Sequence, residues 1–186
     1  LRELGFINKD VPFGEDERKN RKGIYHIADP LLRFHYRYVL PYCSLIEFGN
    51  SGFALQRFRE NENDYVGFAW EELCRSYTMA NKIDGVLFGR ASRWWGNYFD
   101  EVERQYKPAE LDVVAESIDG NHIFVGECKW QERVNAEYEL ERLKHIVNGA
   151  SFAVSHEVHY GLFLRDRYTH SISATIFTPH EVMAHR

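Results

Sequence analysis

Two carboxylates and a lysine near the middle of the chain have the types and order needed for metal-assisted phosphoryl chemistry. They are Asp112 and, fourteen intervening residues later, Glu127-Cys128-Lys129, with Glu110 just upstream. Asp119-Gly120 lies between two runs rich in β-formers, Leu111–Ile118 and Asn121–Trp130, a strong short-range hairpin signal. Centring the turn on that pair sets Asp112 opposite Glu127 and Glu110 opposite Lys129. Side chains alternate faces along a strand, so Glu110, Asp112, Glu127 and Lys129 are expected on one face. Leu111, Val113, Ala115, Phe124, Gly126 and Cys128 are expected on the other. Like charges directly opposed across a ladder are destabilising, and a divalent cation would relieve Asp112 against Glu127. Mg²⁺ takes oxygen ligands, usually one or two carboxylates completed by water and substrate phosphate, and Lys129 would point at the same phosphate. The competing reading is a solvated strand face on which Lys129 pairs with Glu110, each exposed pair contributing about 0–1 kcal/mol. Val114 and Val125 on the charged face argue against full solvation.

Several elements must position this cluster. Val66, Trp70, Leu73 and Tyr77 recur at helical spacing, predicting an amphipathic helix over about Tyr65–Met79 with Glu71 and Glu72 flanking its apolar stripe. The spacing does not choose between these two acids. Val86–Arg93 and Trp94-Trp95-Gly96 lead into a strand ahead of the hairpin. Ala136, Leu140, Leu143 and Val147 form a second helical stripe ended by Gly149, long enough to be the crossover between two parallel strands. Val158–Leu164 and Ser171–Phe177 read as further strands, with Pro179 ending regular structure. The order describes an α/β fold, a mixed central sheet flanked by helices.

Upstream, Leu1–Ile7 reads as a last helical turn closed by Gly5, in a chain that starts with Leu and is expected to begin inside a longer protein. Phe6–Val11 and Gly23–Ile27 are extended runs around the polar loop Gly14–Lys22. Asp29-Pro30 reads as an N-cap and N1 pair opening a helix, whose aromatic stripe is expected to be core. Pro41, Gly49 and Gly52 punctuate a boundary, followed by a polar helix over about Phe53–Asn61. The expected division is 1–50, then 51–186.

The 186 residues are 44% apolar, enough for one ordinary core with a small appendage. No run approaches the ~20 apolar residues of a membrane span, and there is no signal pattern, so no membrane partner and a cytoplasmic location are expected. Cys43, Cys74 and Cys128 lack zinc spacing and read as reduced, buried thiols. His156-x-x-His159 is weak as a metal pair. The net charge of −5 argues against non-specific coating of nucleic acid but leaves room for a local site. Basic residues gather at Arg18–Lys22, around Arg90 and Arg93, and at Arg142 and Lys144, each also readable as solvated surface.

The set of Glu71 on a helix, Asp112 on one strand, Glu127-Cys128-Lys129 on the next and a helix directly after resembles the PD-(D/E)XK nuclease superfamily. More narrowly, Tyr25-x-Ile27-x-Asp29-Pro30-Leu31-Leu32-Arg33-Phe34, Trp94-Trp95-Gly96, Glu110-x-Asp112-Val113-Val114-Ala115 and Gly126-Glu127-Cys128-Lys129-Trp130 resemble the C-terminal part of prokaryotic AAA/STAND-type P-loop ATPases. There an ATPase module precedes a winged helix and a nuclease-like domain. The resemblance implies a restriction-endonuclease-like core over 51–186, with a winged-helix remnant and connecting helix over 1–50. It implies Mg²⁺ or Mn²⁺ held by Asp112, Glu127 and Glu71, with the Cys128 carbonyl as an additional ligand, and catalysis by Lys129, Glu127 and Asp112. DNA is the implied substrate and the ATPase module the implied partner. The chain has no GxxxxGK[ST] motif, so ATP binding would belong to a segment outside it. Where relatives carry a Ser and a Gly-Phe, this chain has Leu162–Tyr168. The alternative function is a catalytically inactive nuclease-fold module that binds DNA or the ATPase.

Overall fold

A computed structural model describes residues 1–21, 23–166, 168 and 170–184. Lys22 of the first basic group and Arg167 of the departing segment lie outside the described residues. The core is a five-stranded mixed sheet in the order β5-β6-β7-β8-β9, built from β5 (Ser92–Asp100), β6 (Gln105–Glu116), β7 (His122–Lys129), β8 (Glu157–Leu164) and β9 (Thr175–Phe177). The first three strands are antiparallel and the last two join in parallel. The hairpin register matches the sequence reading, with Val113 opposite Gly126 and Ala115 opposite Phe124. Its turn is held by Asp119, whose Oδ1 accepts from Ser117 Oγ at 2.6 Å and from the Asn121 N–H at 3.1 Å. Gly120 carries φ +74°, a left-handed conformation that glycine adopts at no steric cost.

Helix α4 (Glu62–Ala80) covers one face and α5 (Ala136–Asn148) the other. That two-sided burial explains why Val113, Val114, Ala115, Phe124 and Val125 are all fully buried despite alternating faces. Trp70, Cys74, Phe124, Cys128 and Phe163 pack on the α4 side; Leu111, Val114, Val125, Leu140 and Leu143 pack on the α5 side. Trp70 Nε1 donates to the buried Phe163 carbonyl at 3.2 Å, tying α4 to β8. The α5 crossover starts on Asn135, which caps the Tyr138 N–H at 3.0 Å, and ends at Gly149, where an added Cβ would run into the Phe99 backbone.

The preceding part comprises the hairpin β1 (Ile7–Asp10) and β2 (Ile24–Ile27), α1 (Pro30–Phe34), a π-helical turn (His35–Val39), a 3₁₀ turn (Leu40–Tyr42), α2 (Cys43–Glu47) and α3 (Ser51–Glu60). Asp29 caps α1 by accepting from the Leu32 N–H at 2.9 Å, as its sequence position predicts. A second small hairpin, β3 (Lys82–Ile83) and β4 (Val86–Leu87), follows α4.

The first residues close as a helix end does: the Gly5 N–H donates to the Arg2 carbonyl at 2.9 Å and the Phe6 N–H to the Leu1 carbonyl at 3.1 Å, with Gly5 at φ +72°. One local expectation fails. Pro179 opens a short helix, α6 (Pro179–Met183), instead of ending the structure. Thr178 and Glu181 form a capping box there, with Glu181 Oε2 accepting the Thr178 N–H at 2.7 Å.

Candidate active site

The site forms where β6 carries one residue more than its neighbour. Ser92 pairs with Val114, but Trp94 pairs with Leu111, so Arg93 alone faces both Asp112 and Val113. This is a β-bulge, a device that re-aims a side chain. It overturns part of the expected face assignment: Leu111 joins Val114 and Val125 on the α5 side instead of the side of Val113. Glu110 is turned away from Lys129 and accepts from Arg93 Nη2 at 3.2 Å.

The bulge also aims Asp112 across to β7. Its Oδ2 accepts the Cys128 N–H at 2.9 Å, and its carbonyl accepts from Arg75 Nη1 at 3.0 Å. Glu127 and Lys129 share a face, as alternation predicts. Glu127 Oε1 lies 2.7 Å from Lys129 Nζ and 2.6 Å from Arg142 Nη2 on α5. Glu139, one turn before Arg142, accepts from Arg142 Nε at 3.1 Å and lies 3.5 Å from Lys129.

Glu71 and Glu72 take different partners. Glu72 Oε2 accepts from Arg33 Nη2 at 2.5 Å, and its Oε1 lies 3.4 Å from His26 Nε2, so it ties α4 to the N-terminal part. Glu71 turns to the sheet, with Oε2 3.6 Å from Arg75 and 3.8 Å from Arg93.

Three carboxyls thus come from α4, the β6 bulge and β7, and all are harder to ionise than usual. Burial, reinforced by the Asp112 charge, pushes Glu71 and Glu127 each up to about 7. Burial also raises Asp112, against the Cys128 N–H and the nearby Lys129, Arg93 and Arg75. Burial alone would lower the Lys129 ammonium, but the Glu127 charge prevails and raises it, so it is a cation at neutral pH. Glu71 Oε2 and Glu127 Oε2 are buried without a hydrogen-bond partner, and a hard cation suits such oxygens. The three acids do not form a closed ligand set, however. Among the described residues, the group whose donor atoms all lie within 4.8 Å of one another is His122, Glu157 and His159.

Arg142 is the member of the cluster whose role sequence reasoning missed, having read it as surface charge. Its spacing of three from Glu139, on the helix directly after the ExK strand, was the available signal. His156-x-x-His159 is split: His156 Nε2 lies 3.3 Å from Glu116 Oε1, while His159 reaches His122. Cys74 and Cys128 are buried free thiols, whereas Cys43 is only partly buried. Among the described residues no helix is long and apolar enough to cross a membrane.

Residues 35–141, more than half of the chain, match the model of DUF234, a family of archaeal and bacterial proteins of unknown function. The chain belongs to this family. It is also similar to an uncharacterized protein of Methanocaldococcus jannaschii, 28% identical over 135 residues, which are 71% of this chain. The match spans only 28% of that relative's length. No solved structure matches the chain.

Proposed function

We propose that this chain is a nuclease-like domain of PD-(D/E)XK type, with a restriction-endonuclease-like core, which hydrolyses phosphodiester bonds in DNA with Mg²⁺ or Mn²⁺. The observation that carries the reading is the convergence of Glu71, Asp112 and Glu127 beside the cationic Lys129, with two carboxylate oxygens buried and without hydrogen bonds. The mixed sheet with a helix after the ExK strand supports it. The M. jannaschii relative, of which the chain covers 28%, is long enough to hold the P-loop ATPase module to which such a domain would be attached.

Asp112, Glu127 and Glu71 would hold the cation, with the Cys128 carbonyl as a further oxygen donor. When bound, the ion supplies a water of lowered pKa and polarises the phosphoryl oxygen. The protein's own contribution is positional and electrostatic. The Cys128 N–H and Arg75 fix Asp112, and Lys129, being protonated, stabilises charge growing on the phosphoryl oxygens and orients the attacking water. A general-base role for Lys129 fits poorly with its raised pKa.

One observation favours a second reading, the inactive nuclease-fold module that binds DNA or the ATPase. Glu127 Oε1 is already neutralised by Lys129 and Arg142 at 2.7 and 2.6 Å. Incubation with supercoiled, linear and branched DNA in Mg²⁺ or Mn²⁺ separates the two. Cleavage that disappears in Lys129→Ala and Glu127→Ala is expected. No cleavage by the wild type, or cleavage unchanged in both variants, would leave the second reading standing.

A further inference from the structure

At the opposite end of β7 from Glu127, two histidines and a glutamate converge. We propose that His122, Glu157 and His159 bind one zinc-class divalent cation, at a site separate from the acidic cluster.

The strand register assembles the group. β7 and β8 run parallel with His122 beside Glu157 and Phe124 beside His159; His159 lies two residues beyond Glu157 and projects from the same face. His122 Nδ1 sits 3.1 Å from His159 Nε2 and 3.4 Å from Glu157 Oε2. A tetrahedral zinc with bonds of 2.0–2.1 Å has ligand-to-ligand edges of about 3.3 Å. Two of the three donor separations already match those such an ion imposes, and all three ligand atoms lie within 4.8 Å of one another.

A supporting contact holds His159 in the ligating tautomer. Its Nδ1 lies 3.3 Å from Asp84 Oδ2, and a proton held there leaves the Nε2 lone pair facing His122. This is the carboxylate–histidine arrangement that orients metal ligands. Asp84 is itself fixed, since it occupies the two-residue turn of the β3–β4 hairpin at φ +50° and accepts from Thr175 Oγ1 at 3.2 Å. An edge-to-face contact with Phe88, centroids 5.8 Å apart, limits tilting of the His159 ring.

Access and ion class follow from exposure and donor type. The side chains of His159 and His122 are 13% and 23% exposed, whereas Glu157 is 71% exposed. The ion would enter past Glu157 and keep a fourth position for water. Two imidazoles and one carboxylate suit zinc, cobalt, nickel or copper and not magnesium, which prefers oxygen. Without an ion, His122 Nδ1 and His159 Nε2 share one proton, and that is the competing state.

Cobalt(II) titration of the EDTA-treated, dialysed chain tests the proposal by visible absorption. A d–d band saturating at one equivalent is expected, displaced by zinc(II) and unaffected by millimolar magnesium(II). His122→Ala and His159→Ala should each abolish it, with folding checked by circular dichroism. The exposed Glu157→Gln should weaken binding without a folding cost, and Asp84→Asn should weaken it about 10–100-fold. Asp112→Asn and Glu127→Gln should leave the band unchanged, which separates this site from the proposed nuclease centre. No band at one equivalent, a band that survives Glu157→Gln and both histidine substitutions, or one lost in Asp112→Asn would overturn the proposal.

Discussion

Replacing Glu71 by Gln should flatten the pH dependence of stability by an amount that follows from its surroundings. The Glu71 carboxyl has an ordinary value of 4.5 and is pushed up to about 7, first by burial and then by the Asp112 charge, while Arg93 and Arg75 only partly compensate. Its folded-state pKa is raised, so its contribution is fully present below pH 4.5 and is lost as pH rises through 7. At about 1.4 kcal/mol per pKa unit, the wild type should lose about 2.5 kcal/mol from this group between pH 5 and pH 8. Glutamine keeps the shape and carries no charge, so that loss should vanish from the difference between the two proteins. Titrations elsewhere, such as Asp100, held low by Lys107 and a backbone N–H, are common to both and cancel. Urea unfolding of EDTA-treated wild type and Glu71→Gln at the two pH values measures it. With a denaturant slope of about 2–3 kcal/mol/M, the wild-type midpoint should fall by about 1 M more than that of the variant. Parallel shifts in the two proteins would show that Glu71 is not a buried acid opposed by Asp112.

Three further outcomes follow from packing and charge. Gly149→Ala should destabilise the fold by about 1–3 kcal/mol in urea unfolding, because the new Cβ meets the Phe99 backbone, which cannot swing away like a flexible side chain; unchanged stability would contradict the close approach. Leu143→Ala, fully buried between α5 and the sheet, should cost about 2–5 kcal/mol in the same assay. Arg142→Ala should raise the Lys129 pKa, since the Arg142 guanidinium beside it lowers it, and leave Glu127 with one cation instead of two. On the nuclease reading it should tighten Mn²⁺ binding measured by calorimetry, while unchanged or weaker binding would place Arg142 in the binding set.

The hairpin was legible because its determinants are local. Asp119-Gly120 sets the turn, the turn sets the register, and the register brings Asp112 to the Cys128 backbone beside Glu127. The bulge was not legible, since it is defined by Ser92 and Trp94 on a third strand, and nothing within β6 marks Asp112 and Val113 as sharing one partner. One extra residue moved Leu111 to the other face and gave Glu110 to Arg93. Periodicity put Glu71 and Glu72 on either flank of α4 but could not tell them apart, because their difference depends on Arg33 and His26 arriving from a distant segment. The His122–His159 pairing was hidden for a similar reason. It depends on the parallel register of strands separated by a whole helix, whereas the visible His156-x-x-His159 spacing pointed to the wrong neighbour.

Whether the acidic cluster holds a divalent cation is tested most directly by an anomalous difference map from crystals of the chain soaked in Mn²⁺. A peak contacted by the carboxylates of Asp112 and Glu127, lost in Asp112→Asn, is expected. A map at millimolar Mn²⁺ with no peak there, and with Glu127 still bridged to Arg142, would contradict the nuclease reading.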